Sequence, residues 1–118
     1  MGIRFHDRMS FIIAMDYQSR RWEHKRARIM RRDTYICQLS KRYGKMLQAE
    51  VVHHIFPADE YPEYQWEDWN LISITQNMHN KLHDRNTNKL TAQGKELLER
   101  TALRRGIPLK KEQSMTCI

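Results

Sequence analysis

Met15, Trp22 and Ile29 recur at seven-residue spacing in a stretch free of Pro and Gly, which predicts a helix over about 16–32. So narrow an apolar stripe buries one face only. The rest of that helix is crowded with Arg20, Arg21, Lys25, Arg26, Arg28, Arg31 and Arg32, against Asp16 and Glu23. The imbalance favours a phosphate-binding face over a merely solvated one. Residues 35–37 read as a short extended piece, followed by a polar turn around Gly44. Residues 48–56 (QAEVVHHIF) are β-branched and apolar enough to predict a strand. Residues 57–69 read as a loop, since Pro57 and Pro62 argue against helix and inner strand. Five carboxylates crowd into it (Asp59, Glu60, Glu63, Glu67 and Asp68), so it is expected to be solvated. Residues 70–74 fit a second strand, and Thr75 or Asn77 can cap a helix over about 76–84. There Met78 and Leu82 face the core, while His79 and His83, also four apart, share the adjoining stripe. A last helix is predicted over about 91–105 with Leu97 and Leu98 inward, stopped by Gly106 and Pro108. Residues 109–118 read as a loose tail.

With 118 residues, the chain reads as a single domain with a modest core. Its hydrophobic content of 40% and charged content of 30% fit a folded protein rather than a disordered one. The net charge of +7 changes the picture more. Each Lys or Arg that neutralises a phosphate releases a condensed counterion, so a polyanionic partner is expected. Cys37 and Cys117 are too far apart in sequence to form a disulfide framework. The apolar run 11–15 is short and interrupted by Asp16, so neither a signal peptide nor a membrane span is expected. The expected location is cytoplasmic, with no membrane partner.

Candidate chemistry lies in four histidines within 31 residues: His53, His54, His79 and His83, with Asn70 between the pairs. On a strand, successive side chains point to opposite faces. His53 and His54 are therefore awkward as two ligands of one metal, and easier to reconcile as a ligand and a nearby base. The landmarks EVVHHIFP (50–57), WEDWNLISI (66–74) and MHNKLHDR (78–85) resemble the HNH endonuclease family. The basic stretch YQSRRWEHKRARIMRRDTYICQ and the segment LTAQGKELLER resemble the flanks of its small phage-encoded members.

The resemblance implies an α+β fold with a ββα-metal (His-Me finger) core over about 48–85, between a basic N-terminal helix and a C-terminal helix. It also implies roles. His53 and His79 match the metal ligands, and His54 the general base that deprotonates water. Asn70 matches the residue that braces the loop and orients that base. His83 matches a third ligand of colicin-type relatives, and stands here between ligand, phosphate contact and surface residue. One divalent ion is implied. Imidazole suits Zn²⁺, Ni²⁺ or Mn²⁺ better than Mg²⁺, which cellular abundance keeps a candidate. Candidate phosphate contacts are Arg20, Arg21, Lys25, Arg28, Arg31 and Arg32, with Lys81 and Arg85 near the site.

Many phage relatives hold a structural zinc with two CxxC pairs. Here those positions read Cys37-Gln38-Leu39-Ser40 and Thr75-Gln76-Asn77-Met78, which leaves one thiolate of four, so no structural zinc is expected. Apolar packing by Leu39, Tyr43, Ile74 and Met78 is expected in its place. The function implied is metal-dependent DNA cleavage or nicking, with phage terminase as a possible packaging partner. Its rivals are a restriction- or homing-type nuclease and a DNA-binding accessory protein without cleavage.

Overall fold

The structure is a computed structural model, and residues 15–110 are described. Helix α1 (Arg20–Arg32) starts later than its apolar spacing suggests. The reason is local. Asp16 and Ser19 close a turn in which Ser19 N–H and Oγ donate to the Asp16 carbonyl, at 3.2 and 2.8 Å. The Ser19 hydroxyl then accepts from Trp22 N–H at 3.1 Å as the N-cap. Trp22, Ile29 and Met30 form the buried face. Thr34 and Tyr35, both at positive φ (53° and 61°), reverse the chain. Ile36 bridges Gln48, and the single turn α2 (Gln38–Lys41) follows, capped by the Cys37 sulfur.

Strands β1 (Val51–His54) and β2 (Leu71–Ile74) pair antiparallel, with His53 opposite Ile72 and His54 opposite Leu71. Alternation divides them between two small cores. Leu71 and Val52 pack with Trp22 and Ile29 of α1. Ile72, Ile74 and Val51 pack with Leu82, Leu97, Leu98 and Ala102. α1 also protects the free edge of β2. The Asp33 carboxylate accepts from Ser73 N–H at 3.0 Å, and the Arg32 guanidinium donates to the Leu71 carbonyl at 2.7 Å. The two side chains pair with each other at 2.8 and 2.9 Å. Together they take the place of a neighbouring strand.

The segment 57–69 is not merely solvated. It contains two 3₁₀ turns, Pro62–Tyr64 and Asp68–Asn70, and an aromatic cluster of Phe56, Tyr61, Tyr64 and Trp69. Asp59, Glu60, Glu63 and Glu67 do face solvent. Asp68, by contrast, pairs with Lys25 at 2.6 Å and Arg28 at 3.0 Å.

Thr75 caps α3 (Gln76–Leu82), accepting from Met78 N–H at 3.0 Å. The helix stops about two residues earlier than expected. His83 is extended (φ −134°) and opens a hairpin of β3 (His83–Asp84) and β4 (Lys89–Leu90), turned through Asn88 at φ 58°. Helix α4 (Ala92–Arg105) is capped by Thr91 and closed by Gly106 at φ 68°. The first residues of the supposed tail are docked: Leu109 packs on the core and Lys110 N–H donates to the Tyr61 hydroxyl at 3.1 Å. Residues 111–118 lie outside the described part, as do residues 1–14. Among the described residues no helix is long and apolar enough to cross a membrane.

Candidate active site

β1 ends in His53 and His54, and the strand's alternation sends their rings apart, as its sequence predicts. His53 faces α3, its ring centroid 5.4 Å from that of His79. His54 faces α1, stacked on Trp22 at 5.4 Å and 18°, with the Tyr17 ring edge-on at 6.1 Å. Both rings nevertheless border one cavity of about 630 Å³, which Tyr17, Asp59, His79, His83 and Asn88 also line.

The His54 ring is oriented by a single carbonyl. Its Nε2 lies 3.1 Å from the Gln65 oxygen, which can only accept, so Nε2 carries the proton and Nδ1 the lone pair. Burial holds the His54 pKa below its ordinary value, partly offset by the Gln65 bond. The ring is therefore neutral at pH 7 with one acceptor nitrogen, the form a general base requires.

Asn70 fixes the loop that supplies that carbonyl. It is wholly buried within the 3₁₀ turn ahead of β2 rather than inside the strand. Its Oδ1 accepts from Phe56 N–H at 2.7 Å, and its Nδ2 donates to the carbonyls of Phe56 and Tyr64, each at 3.1 Å. One amide thus ties the end of β1 to the residue next to Gln65.

His53 poses a different problem. Its Nε2 is buried without a hydrogen-bond partner. Burial, reinforced by His79, His54 and His83, pushes its pKa down to about 3. A polar nitrogen left unmatched in this way costs about 1–3 kcal/mol. A divalent cation is a ligand that a neutral imidazole can satisfy. His79 stands next to it, its pKa also lowered, by burial and then by His83. The pair therefore fits the implied metal, with coordination positions left for water and phosphate. A ready three-ligand set is a different matter. Among the described residues no group of three His, Cys, Asp or Glu side chains is gathered to hold an ion. His83, off the helix, stacks on His79 at 5.7 Å and 12°, but its Nε2 meets Asn88 Oδ1 at 2.9 Å.

Many of the expected phosphate contacts on α1 have partners inside the protein. Lys25 and Arg28 hold Asp68, and Arg32 holds Asp33 and two carbonyls. Arg21 lies over the Trp66 ring at 3.8 Å. Arg26 donates to the Glu50 carbonyl at 2.7 Å. Arg20 and Arg31 are exposed, as are Lys81 on α3 and Arg85 in the β3–β4 turn. Much of the basic face therefore anchors α1 to the sheet, which carries His54 beneath Trp22.

Around the single cysteine of the vacated zinc positions, Leu39, Ile74 and Met78 pack as expected, but Tyr43 does not and is 79% exposed. Burial raises the Cys37 thiol, but the Ser40 side chain and then the backbone N–H groups of Ser40, Thr75 and Leu39 outweigh it and lower its pKa.

Gln65, Trp22 and Asn88 were not among the residues the sequence marks for chemistry. Trp22 reads there only as a core position, and a residue that acts through its backbone carbonyl leaves no side-chain signature.

A solved structure bears on this arrangement. The HNH endonuclease of the deep-sea thermophilic bacteriophage GVE2, crystallised with a manganese ion, is similar to this chain with a TM-score of 0.53 and 30% sequence identity. The similarity covers 67% of this chain and 80% of that one. No family model matches the chain, and no curated protein matches it.

Proposed function

This chain belongs to the HNH endonuclease family, and from that membership we infer that it is a divalent-metal-dependent DNA endonuclease that nicks or cleaves phosphodiester bonds. The observation that carries the reading is the pairing of His53, with its unmatched buried nitrogen beside His79, with His54, which lines the same cavity and whose Nε2 is held on the Gln65 carbonyl. His53 and His79 would hold the metal. When bound, it supplies charge neutralisation on the scissile phosphate and on the departing oxygen. His54 Nδ1 accepts the proton of the attacking water, while Nε2–H remains on the Gln65 carbonyl and fixes the ring. Trp22 covers one face of that ring and limits its access to bulk water. Asn70 is a positioning residue: it touches no reacting atom and sets the loop on which the base depends.

The relative was crystallised with manganese, which supports a divalent ion here, and the imidazole pair favours Mn²⁺, Zn²⁺ or Ni²⁺ over Mg²⁺. Likeness to a bacteriophage enzyme supports a phage-encoded protein, and a link to terminase and packaging is part of the proposal. The test is a supercoiled-plasmid assay across these metals, with His54→Ala beside the parent. Metal-dependent nicking that vanishes in the variant supports the reading. Equal nicking by both, or DNA binding without nicking in every metal, overturns it, the second in favour of an accessory DNA-binding protein.

A further inference from the structure

The residues lining the catalytic cavity include neither Lys nor Arg, and most cations of α1 hold intramolecular partners. Besides Arg20 and Arg31, few of those cations are therefore free to meet a phosphodiester backbone, and further contacts have to be sought elsewhere on the molecule. Away from that cavity, along the protected edge of β2, a cleft of about 500 Å³ is lined by Lys41, Arg42 and Arg104, with Trp69 and Ile72 among its apolar walls. Its one carboxylate, Asp33, already holds Arg32 and Ser73 N–H. None of the ion pairs among the described residues involves Lys41, Arg42 or Arg104. Like charges are crowded here: burial, then Arg100 and Arg104, hold the Arg42 guanidinium below its ordinary pKa. A fold that gathers cations in a concavity whose one acid is already engaged focuses positive potential there, and an anionic ligand relieves the repulsion.

We propose that this cleft is a second DNA-backbone site, in which Lys41, Arg42 and Arg104 grip phosphates flanking the one that is cut. The proposal rests on the DNA-cleaving reading, and it makes the enzyme's grip on DNA separable from its chemistry. Arginine suits the task because its planar fork meets two phosphate oxygens at once.

Binding of a fluorescent duplex, measured by anisotropy at several salt concentrations in chelator, tests this without any cleavage. The parent is compared with Arg42→Gln/Arg104→Gln, with Lys41→Gln, and with a control of equal charge loss outside the cleft, Lys45→Gln/Lys95→Gln. Each lost phosphate contact lowers the slope of log K against log salt by about 0.9. The double variant is expected to lose about 2 in slope, and Lys41→Gln about 1, while the control stays near the parent. Relief of like-charge crowding is also expected to leave the double variant's melting temperature unchanged or raised, which a structural role for these arginines would not do. Slopes that match the parent, or that fall equally in the control, overturn the proposal. Absence of metal-dependent nicking by the parent would speak only against the catalytic reading, since these slopes need no cleavage.

Discussion

Replacing Asn70 by alanine removes one amide and three hydrogen bonds: from Phe56 N–H, to the Phe56 carbonyl and to the Tyr64 carbonyl. The site is wholly buried, so water cannot replace them without rearrangement. An orphaned buried N–H costs about 1–3 kcal/mol, and each lost bond to a carbonyl about 0.5–1.5 kcal/mol. The sum is about 2–6 kcal/mol, a large part of the roughly 5–15 kcal/mol that a domain possesses. In urea, with a slope of about 2 kcal/mol per molar, the middle of that range should lower the unfolding midpoint by about 2 M. At a temperature where the variant remains folded, nicking should be slower than its folded fraction accounts for, because the Gln65 carbonyl no longer holds the His54 ring. Asn70→Asp sharpens the test. It keeps an acceptor for Phe56 N–H but turns a carboxylate oxygen towards two carbonyls, which raises the folded-state pKa of the new acid. A raised pKa confers stability only in the protonated form, so relative to the parent this variant should be worst at pH 7 and recover below about pH 4. An alanine variant within about 1 kcal/mol of the parent would refute the tie assigned to Asn70.

Three further outcomes follow from the same geometry. His53→Leu removes the unmatched buried nitrogen, so in chelator its melting temperature should rise above the parent's, while added Zn²⁺ or Mn²⁺ should stabilise only the parent; a lower melting point in chelator would count against the orphaned imidazole. The Lys25 hydrogen bond comes first among the causes that hold the Asp68 carboxylate below its ordinary range, so its contribution is present above about pH 4 and is lost as pH falls through the folded value; at this half-exposed pair it is at most about 1 kcal/mol, and Asp68→Asn should flatten the acid limb of the stability profile rather than leave it unchanged. Gly94→Ala sets a Cβ 2.2 Å from the Leu82 carbonyl oxygen and 3.0 Å from a Leu90 methyl, and should lower stability by about 1–3 kcal/mol despite alanine's better helix propensity; a more stable variant would show that α3 and α4 are not pressed together there.

What could be read from the chain and what could not divide along physical lines. Strand alternation at His53 and His54 is local geometry, and it survives folding intact. The cap Thr75 and the stop at Gly106 are likewise local, and they stand at their expected places. His83 was misplaced because the 3.6-residue period was extended about two residues too far. The turn residues that follow carried the missing signal: Asn86 N–H donates to Asp84 Oδ1 at 2.9 Å, and Asn88 takes a left-handed conformation. The fate of the α1 cations could not be read from any window. Lys25 meets Asp68 across 43 positions, and only the assembled sheet brings them together. Equally hidden was the carbonyl of Gln65, since any residue type can offer one.

The proposed chemistry requires that imidazole nitrogens of His53 and His79 bind metal while His54 stays free. A crystal grown with Zn²⁺ and recorded at the zinc edge reads this directly. It should show one anomalous peak about 2.1 Å from a nitrogen of His53 and of His79, with His54 Nε2 still on the Gln65 carbonyl and Nδ1 unliganded. A peak on His54, or none shared by His53 and His79, would contradict it.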